Sequence, residues 1–257
     1  MNSAKGSKET IEGASKELIK EPTKALSTAP KMGRGHDAPS DQEDYEIPRA
    51  KIVQGTTAEL KDGAKLGTII NSMTKRELPS TFIPIIKFPN SYIQWNPRKK
   101  DDPNFDPAYD PGALIFTTTD PNDPRVLQGK AFGPNGEPPK VTKYINFLAY
   151  FPGDAWPVVV SFAKTSFAAG RRLNSLVRLA GGDLFSNQFN LKSVSKDNAG
   201  TSYYLFDVMA AGKASAEDFK IAEGLYEEFK NKNIVVHDMG GEESDPKGSG
   251  ISENLTD

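Results

Sequence analysis

VTKYINFLAYFPGDAWPVVVSFAKTSFAAGRRLNSLVRLA, residues 141–180, is the stretch whose reading decides the fold. Val141–Phe151 and Pro157–Lys164 are apolar and rich in β-branched and aromatic residues. They read as a strand pair joined around Pro152-Gly153-Asp154. The pattern then changes period. Leu173, Leu176, Val177 and Ala180 fall on one helical face, Thr165 or Ser166 can cap the start, and Gly181-Gly182 ends the run. Two strands followed by a helix therefore lie in forty residues.

Working outward, Phe189–Lys196 and Thr201–Val208 flank Asp197-Asn198-Ala199-Gly200, a hairpin signal. Ser215 caps a second helix, with Phe219, Ala222, Tyr226 and Phe229 as its apolar stripe and Glu217 and Asp218 in its first turn. On the N-terminal side, Lys65–Met73, Thr81–Phe88, Ser91–Trp95 and Ala113–Thr119 are strand-like. Pro84 demotes the second of these to an edge or bulged strand. Asn96–Pro111 and Asp120–Pro139 are thick with Pro, Asp and Asn and read as loops. The order predicts a mainly β fold: an OB-like Greek-key barrel with one inserted helix and one C-terminal helix.

Charge divides the chain. Residues 1–45 are polar, hold seven Lys/Arg against eight Asp/Glu, and predict a disordered arm. Residues 237–257 carry six carboxylates against the single Lys247 and predict a disordered acidic tail. The total of −2 leaves the core, residues 46–236, at about +4. No run reaches the roughly 18 apolar residues of a membrane helix, and the N-terminus has no signal-peptide apolar region, so the host-cell cytoplasm is the expected compartment. The absence of cysteine excludes disulfides and thiolate chemistry.

The residues for catalysis are scarce. His36 and His237 are the only histidines, and no phosphate-binding Gly-rich loop occurs, so neither an enzyme nor a cofactor is expected. Asp102, Asn104 and Asp106 have calcium-loop spacing, but Pro107 stands where the sharp turn needs Gly and Ala113 where the bidentate Glu belongs. Asp-Pro turns account for them better. A carboxylate-only nuclease would have to use Asp120, Asp123 and Glu137 with magnesium.

Cations interleaved with rings are present. Single-strand binding needs charge to replace counterions and flat rings for unstacked bases. Lys87, Tyr92, Trp95, Arg98, Lys99 and Lys100 form one candidate cluster. Lys143, Tyr144, Lys164, Arg171 and Arg172 form a second, and Lys192 and Tyr204 lie on the hairpin. Adjacent Tyr203 and Tyr204 point to opposite faces of a strand, so one of them is outward.

The runs 67–98 and 144–177 and the hairpin 192–208 resemble a family of tailed-phage proteins of the replication and recombination region. The resemblance implies an OB-like fold and single-stranded-DNA binding. Relatives carry a cysteine-rich, zinc-ribbon-like insertion where this chain has Ala113–Pro139 without cysteine, so no zinc role carries over. The tail ends Leu255-Thr256-Asp257, without the terminal aromatic that such binders use to dock partners. The expectation is a sequence-independent single-stranded-DNA-binding protein of phage replication or recombination. Replication or recombination proteins are its candidate partners through the acidic tail, no membrane is involved, and a homo-oligomer is left open. The alternative is a virion-associated or scaffold protein with no affinity for nucleic acid.

Overall fold

The computed structural model describes residues 46–154, 156–198, 201–232 and 234; the polar arm 1–45 and the acidic tail 237–257 lie outside the described residues. Among the described residues, nine strands and three helices follow one another as β1 (Ala50–Ile52), β2 (Ile69–Asn71), β3 (Thr81–Lys87), β4 (Ser91–Trp95), β5 (Leu114–Thr118), α1 (Pro124–Gly129), β6 (Val141–Tyr150), β7 (Val158–Ala163), α2 (Phe167–Ala180), β8 (Asn187–Asn198), β9 (Thr201–Lys213) and α3 (Ala216–Phe229). The fold is mainly β, as expected.

β6 is the centre of the main sheet. Its first half pairs with β4 and its second half with β3 along one edge, and β7 runs along the other. β5 continues from β4, and β8 and β9 continue from β3, all antiparallel. The unbroken apolar run of β6 is explained by burial on both faces. Ile145, Phe147 and Ala149 enter a cluster with α2, while Leu148 and Tyr150 enter one under α3. A strand covered on both sides has no polar face to alternate with. Pro84 is accommodated by a shift of register between Pro84 and Ile86, so β3 is bulged and interior rather than an edge.

The helices sit where the sequence placed them, with one addition. Ser215 caps α3 by accepting from the Asp218 N–H. Gly170 lets α2 approach β7 closely: a Cβ there would stand 2.7 Å from Phe162 Cβ. Ser166 makes no side-chain cap to α2; its Oγ accepts from the Phe206 N–H of β9 instead. The stretch expected to be loop throughout 120–139 contains α1, with Asp123 accepting from Arg125 N–H and Pro124 opening the helix. None of the described helices is long and apolar enough to cross a membrane.

A closed barrel is not formed. The strand order places β7 and β9 at opposite sides, and among the described residues they do not pair. The segment before and after β1 fills the seam. Val159 N–H of β7 donates to Pro48 O, and Arg49 makes a parallel bridge to Val159. At the other side the Gln54 amide donates to Tyr204 O at 2.7 Å and accepts from Tyr204 N–H at 3.0 Å. Backbone groups that pairing of β7 with β9 would satisfy are thus met by the backbone of the β1 segment on one side and by the Gln54 side chain on the other, which corrects the barrel expectation.

Candidate nucleic-acid interface

Lys143 is exposed on β6 and stands in register opposite half-buried Tyr92 of β4. Its Nζ lies 5.8 Å from the Tyr92 ring centroid and 5.7 Å from that of Phe167, the first residue of α2. Both distances are within cation–π reach. Register carries the site further. Tyr144 pairs with Ala163, which brings the following residue, exposed Lys164, to the same end of the sheet. Lys164 has φ 47°, in the left-handed region that non-glycine residues seldom occupy, where β7 turns into α2. Arg171, exposed, follows Phe167 by one helical turn. Three cations and two half-buried rings therefore gather where β4, β6, β7 and α2 meet.

The ribbon β8–β9 supplies a second surface. Leu191, Phe206 and Val208 face the core, whereas Lys192, Val194 and Lys196 face outward, opposite Asp207, Leu205 and Tyr203. Arg172 of α2 reaches this face and bonds Asp207 Oδ1 at 2.6 Å. Helix α2 thus touches Lys143 at its first residue and the ribbon through Arg172.

Several expected site residues are placed differently. Tyr144 is only 8% exposed, so its ring is enclosed and its stacking role is corrected. Tyr204 packs inward: a Cβ on Gly67 would stand 2.5 Å from its ring, which leaves Tyr203 as the outward tyrosine. Trp95 is half-buried at the end of β4, with Nε1 enclosed. Lys87 closes β3, and Arg98, Lys99 and Lys100 lie in the loop after β4; all four are exposed, on elements other than those that carry Lys143. That loop is pinned by buried Asn96, whose amide donates to Asp106 O, Tyr109 O and Asp110 O and accepts from Asp106 N–H. Phe167 was missed because it sits at the junction of strand and helix patterns; its spacing of four from Arg171 was the available signal.

The carboxylates serve their own turns. Asp102 Oδ1 accepts from Asn104 N–H and Asp106 Oδ1 from Ala108 N–H, as Asp turns do. Asp120 accepts from Asn122 N–H, and Asp123 pairs with Arg125, which holds its carboxyl below the usual range. Glu137 bonds Asn135, which lowers its carboxyl likewise. Among the described residues, no group of three His, Cys, Asp or Glu could hold a metal ion.

Comparison with known proteins gives a class first. Residues 15–235 match the family described as Pam3 phage gp34-like protein, a phage family. The match covers well over half of the 257 residues, and the chain belongs to that family. No curated protein and no solved structure matches it.

Proposed function

We propose that this phage protein binds single-stranded DNA without sequence preference and without catalysis, in the replication or recombination of phage DNA. The observation that carries the reading is the Lys143 ammonium held between the rings of Tyr92 and Phe167. Lys164 and Arg171 at the same corner add charge for the phosphates on either side. Rings accept any base face, and the cluster presents cations rather than the paired amides or carboxylates that read base edges, so sequence indifference follows. The phage family supports the setting, and the host cytoplasm would be the place of action.

The test is fluorescence anisotropy of a labelled oligothymidine titrated with the full chain over a range of salt. Six phosphate contacts would make log K fall by about 4 per decade of salt. Lys143→Gln is expected to weaken binding about tenfold, with Lys143→Arg restoring most of it. No binding at low salt, or equal binding of duplex and single strand, would refute the reading.

A further inference from the structure

Among the described residues, the outward face of the β8–β9 ribbon from Asn190 to Lys196 and from Tyr203 to Met209 contains one carboxylate. Asp207 stands in register opposite Lys192, and its Oδ1 accepts a 2.6 Å bond from Arg172 of α2. The remaining outward side chains from Asn190 to Lys196 and from Tyr203 to Met209 are apolar, polar or cationic. One anion is therefore bonded by a cation from a separate element, with a second cation in register across the ribbon. An exposed pair of this kind contributes little to stability, so stability does not account for the arrangement. A carboxylate and a phosphodiester offer the same thing to a guanidinium: two anionic oxygens to which its planar fork can donate together.

We propose that Asp207 occupies a backbone-phosphate position of the nucleic-acid path. When a strand arrives, Arg172 transfers from the Asp207 carboxylate to a phosphate that neighbouring Lys192 also attracts, and the carboxylate passes to water. This rests on the single-strand reading and extends it. The proposed path runs from Lys143 and Phe167 along α2 through Arg171 and Arg172, reaches the ribbon at Asp207, and continues past Val194 and Leu205 toward Lys196 and Tyr203. Asp207 sets the affinity by competing for Arg172, a repulsive element built into the surface.

The experiment compares wild type, Asp207→Asn and Asp207→Ser in the oligothymidine titration, with Glu223→Gln on α3 as a control for net charge. Circular dichroism and thermal melting of each variant report folding. The expected result is affinity about tenfold tighter for both Asp207 variants, a salt slope steeper by about 0.7 for the added phosphate, and no such gain for Glu223→Gln. The gain disappears when Arg172→Gln is added. Folded Asp207 variants with unchanged or weaker affinity overturn the proposal while single-strand binding by the wild type stands. Absence of binding by every variant sinks the underlying function instead. Inorganic phosphate at matched ionic strength separates free phosphate from a backbone diester. If it displaces the strand from Asp207→Asn far better than chloride does, the site is one for free phosphate and the diester assignment fails.

Discussion

Replacing Glu59 by Gln should destabilise the seam of the sheet in a pH-dependent way. Glu59 lies in a short helical turn between β1 and β2, and its side chain is only 6% exposed. It accepts from Lys51 Nζ at 3.3 and 3.2 Å and from Lys75 Nζ at 2.8 Å. The Lys75 bond is the main cause, with Lys51 assisting, of a carboxyl lowered from 4.5 to about 2 against the cost of its burial. By linkage such a shift corresponds to ~3 kcal/mol. Lys75 is more than half exposed, and solvent screening reduces the figure to about 2 kcal/mol. The carboxyl is more acidic folded than unfolded, so the stabilisation is complete above pH 4.5 and disappears as pH falls toward 2. Urea unfolding of wild type and Glu59→Gln across that range measures it. The expected difference is about 2 kcal/mol at neutral pH, shrinking through the acid window. A gap below about 0.5 kcal/mol at pH 7, or one that does not change with pH, would refute the reasoning.

Other perturbations separate packing from binding. Gly170→Ala should lower stability by roughly 1–3 kcal/mol in a thermal melt, because its methyl meets Phe162 between α2 and β7. Tyr203→Ala should cost several-fold in oligothymidine affinity and leave the melting temperature nearly unchanged. Tyr204→Ala should lower the melting temperature, since that ring packs on Gly67 and the core. Asn96→Ala should destabilise by about 2 kcal/mol and raise hydrogen exchange through residues 97–112, because three carbonyls lose the amide that bridges them.

Element type was legible wherever period and end signals agreed. Residues 141–180 gave strand, strand and helix because β-branched runs, Gly153, and a 3.6-residue stripe ending at Gly181-Gly182 all point the same way. Helix α1 was hidden because its six residues are shorter than a hydrophobic period can reveal, although Asp123-Pro124 is an N-terminal signature. Barrel closure was not legible at all, since it depends on whether two strands distant in sequence pair or leave a seam for Gln54 to fill. The split of roles between Tyr203 and Tyr204 was legible only as an alternation. Which of the two faces inward is set by Gly67, 137 positions earlier than Tyr204.

The position of α3 explains why the proposed site lies at the corner of the strands rather than along them. Ala222, Leu225 and Phe229 lie on Ile83, Ile85, Leu148 and Val159, and Trp156 meets Phe229 edge-on at 5.6 Å, so that face of β3, β6 and β7 is occupied by the chain itself. The opposite face of the same strands is filled by Leu173 and Ala169 of α2 together with β8 and β9. With both faces covered, β6 can offer a ligand only its N-terminal end, where Lys143 precedes the buried run that starts at Tyr144. That end is also where β7 turns through the left-handed Lys164 into α2, so charge from three elements collects without any of them leaving the core. The open seam contributes in turn: because no strand among the described residues covers the edge of β9, Ser166 and Gln54 can tie to it, and the first turn of α2 is held against the ribbon that carries Lys192 and Asp207. The corner site and the ribbon are therefore consequences of one packing decision, the use of both sheet faces for helices.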